Sequence, residues 1–339
     1  MPPRNNIDLD AIKNEIVRYG NANPTDLQRA VLSPEIVLNK LNPTPLGKVK
    51  GKWTFPAILI GHVVQAFSDK WTPYGMAQFV AKVAKNYHQK MNFPIFPYDV
   101  YGTWIEAMYE EGKKPDEMPI SKYIMNTVLP PAIINDLSIL SVNGVYDPAE
   151  VGSTTPTFGK SMNGINKIVA DMVANTTNPV FKIPTDAGDN IVDRVTAFEM
   201  ALPQHVKVDF IVVSLKEFNE YVSLRETPSD KYIDFNDPQR GKTKFGRTII
   251  GIPGRTDGQI LAWVAGNFFR LYDRKDNPAV IDMVQVQDYM VKIFAEWHLG
   301  YDFAVNQYVF VETQDADDER GLNNATQNAL YFPGETLTA

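Results

Sequence analysis

Apolar residues occupy every second position at Val291, Ile293, Ala295 and Trp297, and polar residues such as Lys292 fall between them. A period of two predicts a β-strand with one buried face. Four further runs in residues 259–313 are rich in β-branched and aromatic residues and are separated by short polar turns; they read ILAWVAG, NFFRLYD, AVIDMVQV and NQYVFVE. Residues 259–313 are therefore predicted to be mostly strands.

Residues 190–252 alternate between helical and strand patterns. Apolar residues recur at helical spacing up to Leu202, and Pro203 ends that helix. The run VKVDFIVV predicts a strand, and Ser214 with Glu217 forms a capping-box pattern for a helix that ends near residue 224. Residues 247–252 form another strand-like run. We predict a compact α/β unit with a mixed sheet here.

Residues 102–175 are predicted to be helical with breaks. The longest candidate helix covers residues 120–141 and contains Pro130 and Pro131, which cannot continue a straight hydrogen-bond ladder and require a kink or a restart. Asn143-Gly144 is predicted to end it. A loop rich in Gly, Ser, Thr and Pro follows, and residues 163–174 are predicted to be helical again.

Residues 1–50 have the pattern of an arm rather than of a domain. Two short helical patterns, at residues 10–19 and from Ser33, are separated by polar, turn-forming residues. Helices this short are marginal alone in water, so the arm must dock on another surface. We expect that surface to belong to a neighbouring copy.

Residues 51–100 are predicted to form a long two-armed hairpin. One arm reads WTFPAILIGHVVQAF and the other covers residues 75–92, where apolar residues alternate imperfectly with Gln78 and Lys82. The connecting SDKWTPYG supplies turn-forming residues. The imperfect alternation leaves a helix at residues 76–88 open as an alternative.

Three residues at the expected hairpin tip are candidates for contact with another subunit: Lys70, Trp71 and Tyr74. Large aromatic side chains at an exposed tip are typical of partner contacts. The alternative is that Trp71 and Tyr74 fold back on the hairpin.

Composition narrows the classes of function. The 339 residues are 44% apolar and include no cysteine, which excludes disulfides, thiolate metal sites and a cysteine nucleophile. The four histidines have no metal-ligand spacing, and residues 236–243 lack the glycine that would begin a phosphate-binding loop. We therefore predict no catalytic residues, no cofactor and no metal site. No run is long enough to cross a membrane.

Charge is distributed unevenly along the chain. Residues 1–100 hold twelve basic and seven acidic residues, whereas the rest hold 21 basic and 33 acidic residues, and the net charge is −7. A basic N-terminal segment and an acidic remainder would favour head-to-tail contact between copies of one chain. Chance explains the same imbalance equally well.

The order of these segments resembles the major capsid proteins of tailed double-stranded DNA phages, which have the Hong Kong 97 capsid fold. The likeness is carried by MPISKYIMNTVLPPAIINDLSILSVNGVY at 118–146, by the axial-domain pattern at 206–254 and by the closing strands at 267–311. It covers nearly the whole chain, but it consists of patterns rather than fixed residues.

The resemblance implies an α+β fold with four parts: an N-terminal arm at 1–50, an extended loop at 51–100, a peripheral domain at 101–164 and 267–339 with a long spine helix, and an axial α/β domain at 165–266. It implies a major capsid protein that assembles into hexamers and pentamers around the phage genome. The implied partners are further copies, a portal, possible scaffold or decoration proteins and non-specifically contacted double-stranded DNA. The implied location is the virion, after assembly in the host cytoplasm.

Two other functions remain open from the sequence. An encapsulin-type nanocompartment would share the fold and enclose protein cargo. A soluble α+β enzyme with a site that no motif reveals would be a monomer or a small oligomer.

Overall fold

The structure is a computed structural model, and it describes residues 9–22, 29–60, 64–71, 77–96, 102–106, 120–225, 233–234, 237–273, 279–287, 290–315 and 318–337. The helices are α1 (Leu9–Ala22), α2 (Ile120–Tyr123), α3 (Leu129–Asn143), α4 (Ile165–Val173), α5 (Ile191–Met200), α6 (Leu215–Arg225) and α7 (Ala325–Tyr331). The strands are β1 (Thr44–Leu46), β2 (Lys52–Ile60), β3 (Ala77–Lys85), β4 (Tyr87–Ile95), β5 (Phe181–Pro184), β6 (Phe210–Ser214), β7 (Ile233–Asp234), β8 (Asp237–Lys242), β9 (Thr248–Ile252), β10 (Leu261–Trp263), β11 (Phe268–Tyr272), β12 (Ala279–Gln287), β13 (Met290–Phe303) and β14 (Val309–Thr313).

The 14-residue strand β13 organises the first sheet, which contains β4, β13, β12, β11 and β1. One edge of β13 pairs with β4, and the other edge pairs first with β12 and then with β11. Val291, Ile293, Ala295 and Trp297 are buried, whereas Glu296 is exposed. The predicted half-buried strand is therefore confirmed, and its apolar face forms part of the first core.

The second sheet has the order β5-β14-β10-β6-β9-β8-β7. Its β5/β14 and β6/β9 pairs are parallel, whereas the other pairs are antiparallel, so the predicted mixed sheet is confirmed. Within β6, Val212 faces the first core, whereas Ile211 and Val213 face the second. Because successive side chains of a strand point to opposite faces, the sheet separates two cores, which explains its continuous apolar runs.

The spine of the first core consists of α2, a π-helical turn at Ile124–Val128, and α3. Pro130 and Pro131 lie in the first turn of α3, where the backbone needs no N–H donor. The preceding Leu129 N–H reaches Ile124 O, five residues back, so the backbone stays helical while the α-helical hydrogen-bond ladder is interrupted just before the two prolines, and no straight ladder continues there, as predicted. It ends at Asn143, because Gly144 leaves the helical conformation with a ψ of 142°. The carbonyl groups of Leu140 and Met162 leave no room there for a side chain, which explains the glycine.

The predicted second arm of the hairpin, residues 75–92, is divided between two sheets. β3 pairs with β2 in a two-stranded hairpin, whereas β4 belongs to the first sheet. The extended backbone of β3 and β4 shows that the alternative helix at 76–88 is wrong. A hairpin is confirmed, but its described paired arms are the nine-residue strands β2 and β3.

Two further expectations need correction. The sequence pattern groups NQYVFVE with the closing strands at 267–311, but β14 pairs with β5 and β10 in the second sheet and does not pair with β11, β12 or β13. The described part of the arm was expected to dock on a neighbouring copy, but Ile16, Val31 and Leu38 are buried in the subunit's own first core. Local periodicity predicted these elements, but long-range packing decided where they dock.

Candidate subunit interface

The β2–β3 hairpin is a two-stranded ribbon that is separate from both larger sheets, although β2 contacts α7 and β3 contacts β13. Among the described residues, β2 and β3 pair only with each other, in continuous register from Lys52–Lys85 to Ile60–Ala77. At about 3.3 Å per residue the ribbon is roughly 26 Å long. Both of its edges carry unpaired backbone groups, and a lone two-stranded hairpin is marginally stable in water. Further contacts with a partner would stabilise it.

The base of the hairpin is fixed by a small apolar cluster of Val49, Phe55, Ala84 and Leu271. The rings of Phe55 and Phe269 are 4.9 Å apart, which joins β2 to β11 in the first sheet. These contacts orient the ribbon at its root and leave Trp53 and Val83 substantially exposed.

Lys82 forms the polar part of the same anchor. Its Nζ lies 2.6 Å from Asp302 Oδ1 on β13, and both side chains are close to nine-tenths buried. The ammonium group also lies 5.9 Å from the centre of the Phe303 ring. Burial lowers the pKa of Lys82, although the charge and hydrogen bond of Asp302 act in the opposite direction. Desolvation therefore outweighs the attraction between the two charges.

The connection between the hairpin strands is exposed wherever it is described. Residues 64–71 are all exposed, and the exposed fractions are 87% for Val64, 97% for Phe67 and 88% for Trp71. Among the candidate contact residues, Lys70 and Trp71 lie on this segment, whereas Tyr74 lies outside the described residues. Sequence reasoning did not include Val64 and Phe67, although their apolar character was visible. Contact of these residues with another subunit remains a prediction.

The exposed side of the first sheet carries a polar cluster at the β4–β13 pair. His88 and His298 are direct cross-strand neighbours with stacked rings 4.3 Å apart, and His88 Nε2 lies 2.9 Å from Glu296 Oε2. Burial and the adjacent His88 lower the pKa of His298. Within the described part of the chain, no group of three or more His, Asp or Glu side chains could hold a metal ion.

A buried charge network joins the elements of the second sheet. Arg194 on α5 donates to Glu312 on β14 through Nε at 2.8 Å and Nη2 at 2.5 Å, and to Glu217 on α6 through Nη1 at 2.9 Å. Although burial alone would lower the pKa of Arg194, the two carboxylates raise it. All three side chains are buried, so the network holds α5, α6 and β14 together and is not accessible to a substrate.

This network modifies the predicted capping box. Ser214 Oγ accepts the Glu217 N–H at 3.1 Å, as the pattern predicts. The Glu217 carboxylate, however, binds Arg194 and the Gly258 N–H instead of returning to the start of α6. The sequence signal for the network was weak, since Glu312 was only one acidic residue within an apolar strand.

No protein-family model and no curated protein sequence matches the chain. Among solved structures, the chain is similar to the capsid asymmetric unit of cyanophage A-1(L), with a TM-score of 0.50 and 10% identity over 83% of this chain and 92% of that one. The capsid of a native GTA particle gives 0.49 and 9% identity over 82% and 89% of the two chains. The virus-like particle from Pyrococcus furiosus gives 0.42 and 9% over 84% and 96%.

Within the described residues, no helix has the length and apolar content required to cross a bilayer. At this level of identity, the cyanophage match shows the fold and not the function. The α+β, Hong Kong 97-like fold expected from the order of segments is therefore confirmed: the chain has the fold of a tailed-phage capsid subunit.

Proposed function

We propose that this chain is the major capsid protein of a tailed double-stranded DNA phage, and that copies of it assemble into hexamers and pentamers of an icosahedral shell. The observation that carries the proposal is the capsid fold, which matches 92% of the cyanophage chain at a TM-score of 0.50. The similarity extends over most of both chains rather than over a short shared segment.

The separate β2–β3 hairpin and its exposed connection support the same function on physical grounds. Its unpaired edges and the exposed Val64, Phe67 and Trp71 are costly for a solitary subunit, and a neighbour that covers them removes that cost. Each subunit would repeat this contact around a closed ring, so many weak interfaces would add up to a stable shell. The contacts at Phe55 and Lys82 fix the hairpin to the first sheet.

We assign the parts of the chain as an N-terminal arm at 1–50, an extended loop at 51–100, a peripheral domain at 101–164 and 267–339, and an axial domain at 165–266. The first sheet and the spine helix support the peripheral domain, and the second sheet supports the axial domain. In this division β14 is a segment of the peripheral domain that contributes a strand to the axial sheet.

The proposed partners are other copies of the chain, a portal, scaffold or decoration proteins, and packaged double-stranded DNA bound without sequence preference. The proposed location is the virion, with assembly in the host cytoplasm. A structural subunit needs no catalytic group, and we expect no enzymatic activity from this chain.

Negative-stain electron microscopy of the purified chain, combined with the ratio of absorbance at the nucleic-acid and protein maxima, tests the proposal. Thin-walled icosahedral particles, filled with DNA when isolated from infected cells, would support it. Cages that enclose protein and no nucleic acid would favour the encapsulin-type alternative. A monomer or small oligomer at every concentration would contradict both and favour the enzyme.

A further inference from the structure

A basic β-hairpin near one edge of the second sheet has no role in the contacts described above. Strands β8 and β9 are antiparallel neighbours, and the turn between them covers residues 243–247. Residues 238–247 read PQRGKTKFGR and contain four basic residues and no acidic one, although residues 101–339 as a whole hold 33 acidic and 21 basic residues. A local excess of positive charge in an acidic region attracts an anionic partner.

This segment overlaps the run that comes nearest to a phosphate-binding loop in sequence, but its structure is different. A strand, β9, and not a helix follows the turn. The backbone N–H groups of Thr243, Gly246 and Arg247 donate to oxygen atoms within the turn itself, so they are not directed at one phosphate group. Any affinity for an anion must therefore come from the basic side chains.

One of the four basic residues fixes the turn in place. Arg247 donates through Nη1 to Glu199 Oε1 at 3.2 Å and through Nε to the Val208 carbonyl at 3.1 Å. The Thr243 hydroxyl donates to the same Glu199 oxygen at 2.8 Å, and Glu199 is only 5% exposed. The negative charge of Glu199 is therefore paired with Arg247 and does not neutralise the other basic residues of the hairpin.

Lys242 and Lys244 are exposed and have no acidic partner among the described residues. Lys242 Nζ donates to the Thr248 hydroxyl oxygen at 3.2 Å, whereas Lys244 forms no hydrogen bond or ion pair with the described part of the chain. Because only one residue separates the two lysines, their Cα atoms are at most about 7 Å apart. Two ammonium groups without a carboxylate partner therefore lie close together at the outer end of the hairpin.

Other basic residues surround these two lysines. Arg225, at the end of α6, donates through Nη1 to the Lys242 carbonyl at 3.1 Å. Further back along β8, Arg240 Nη2 donates to the Lys40 carbonyl at 2.8 Å, and the Lys40 side chain is exposed. The positive charge thus extends from the turn along β8 and across to neighbouring segments.

The nearest acidic groups do not cancel this charge. The backbone of Asp209 accepts the Thr248 N–H, but its carboxylate lies 3.4 Å from Lys207 Nζ, so this pair is electrically balanced. Glu220 lies roughly 140° around α6 from Arg225. Asp237, at the start of β8, is about 16 Å from Lys242 along the strand, which exceeds the screening length of about 8 Å at physiological ionic strength.

The phosphate backbone of duplex DNA fits this surface. A lysine carries a compact charge on a flexible stem, and duplex DNA presents about one negative charge per 1.7 Å of its axis, so two neighbouring lysines meet phosphates in any register. Such contacts give affinity without reading sequence. A folded protein partner would also be expected to cover the apolar side chains nearby, of which Phe245 in the turn is 55% exposed.

We propose that the β8–β9 hairpin binds the phosphate backbone of duplex DNA through Lys242 and Lys244, without sequence preference. The proposal rests on the proposed function, because a shell that encloses the genome brings duplex DNA close to each subunit. It assigns to one surface a contact that the proposed function leaves without residues.

Fluorescence anisotropy of a labelled duplex of about 20 base pairs with the full-length chain, from about 25 to 200 mM NaCl, tests the proposal. Each phosphate that a lysine neutralises contributes about −0.9 to the slope of log affinity against log salt concentration, so we expect a slope of at least about −1.8. Lys242→Gln/Lys244→Gln should weaken binding at low salt and reduce the magnitude of the slope by about 1.8. Both side chains are exposed, so the double variant should unfold in urea like the original chain.

Two single variants serve as controls. Lys167→Gln removes an exposed lysine on α4 that is paired with Asp171, and it should leave DNA binding unchanged. Phe245→Ala removes the apolar side chain of the turn and should also leave it unchanged, because paired bases present no free face. An unchanged salt slope in the double lysine variant, or loss of binding with Phe245→Ala, would overturn the proposal. Binding to polyglutamic acid without binding to DNA would overturn it in favour of an acidic protein partner.

Shell formation is scored separately by sedimentation. The double lysine variant should form shells in normal yield, and a severalfold loss would show that the hairpin contacts protein and would overturn its assignment to DNA. Shells from an original chain that does not bind DNA would refute the hairpin site and leave the proposed function intact. A chain that never forms shells would refute the proposed function itself.

Discussion

The buried ion pair at the root of the hairpin allows a test of how much buried charges contribute to the stability of the subunit. Lys82 Nζ and Asp302 Oδ1 are 2.6 Å apart, and the exposed fractions of the two side chains are 12% and 13%. Lys82→Met keeps the approximate length of the side chain but leaves the Asp302 carboxylate buried without its partner. Removal of one member of a buried pair costs about 3–5 kcal/mol, so we expect the free energy of unfolding to fall by about 3 kcal/mol.

The double variant Lys82→Met/Asp302→Leu separates charge from packing. Because apolar replacement of both members of a buried ion pair also removes the cost of desolvating their charges, we expect the double variant to have a free energy of unfolding within about 1 kcal/mol of the original chain or above it. Lys167→Met is the matched control. Lys167 Nζ lies 2.5 Å from Asp171 Oδ1, but both side chains are exposed, so its loss should cost less than about 0.5 kcal/mol.

Urea unfolding of the unassembled subunit, followed by tryptophan fluorescence, measures all three variants against the original chain. A loss below about 1 kcal/mol for Lys82→Met would show that the pair behaves as a solvated surface pair and would refute the reasoning. If the double variant were as unstable as the single variant, altered side-chain packing, and not an unpaired buried charge, would account for the lost stability.

Three other predictions concern a steric clash at a glycine, the effect of pH on stability, and assembly. Gly300→Ala would place its Cβ 2.5 Å from a backbone carbonyl oxygen of β3, so the free energy of unfolding measured in urea should fall by about 1–3 kcal/mol. Gly102→Ala, with open space around it, should leave the free energy of unfolding unchanged. Equal effects of the two substitutions would contradict the steric argument. Burial and, to a lesser extent, His88 lower the pKa of His298 below its ordinary value of 6.5, so its contribution to stability should be fully present above pH 6.5 and should decrease as the pH falls below it. His298→Gln should flatten this dependence in unfolding curves measured from pH 5 to 8. An unchanged slope would assign the loss of stability to other groups. Trp71→Ala should reduce the yield of shells in sedimentation severalfold but change the free energy of unfolding by less than about 0.5 kcal/mol, because the side chain is exposed; a normal shell yield would remove Trp71 from the interface.

Much of the secondary structure could be predicted from local patterns. The alternation around Val291 and Trp297 identified β13, helical spacing identified α4 and α5, and two prolines indicated where the hydrogen-bond ladder of the spine helix is interrupted. These signals are local, because a strand or helix with one buried face repeats its apolar residues at a fixed period. The order of the segments was sufficient to indicate the fold class.

The candidate interface was only partly predictable. Turn-forming residues and aromatics at 68–75 indicated a hairpin tip, and Lys70 and Trp71 are indeed exposed there. The anchor at Lys82 and Asp302 was not predicted, since 219 intervening residues separate the two and no local pattern connects them. The same is true of Arg194 on α5 and Glu312 on β14, which are far apart in the sequence.

Local sequence patterns identified most of the long helices and strands and one hairpin, because those properties depend on neighbours a few residues apart. They did not show that β4 belongs to the first sheet, that β14 enters the second sheet, or that the described part of the arm packs on its own subunit, all of which the tertiary packing sets. Those outcomes depend on which distant apolar surfaces and buried charges complement one another, and neither periodicity nor composition records that information.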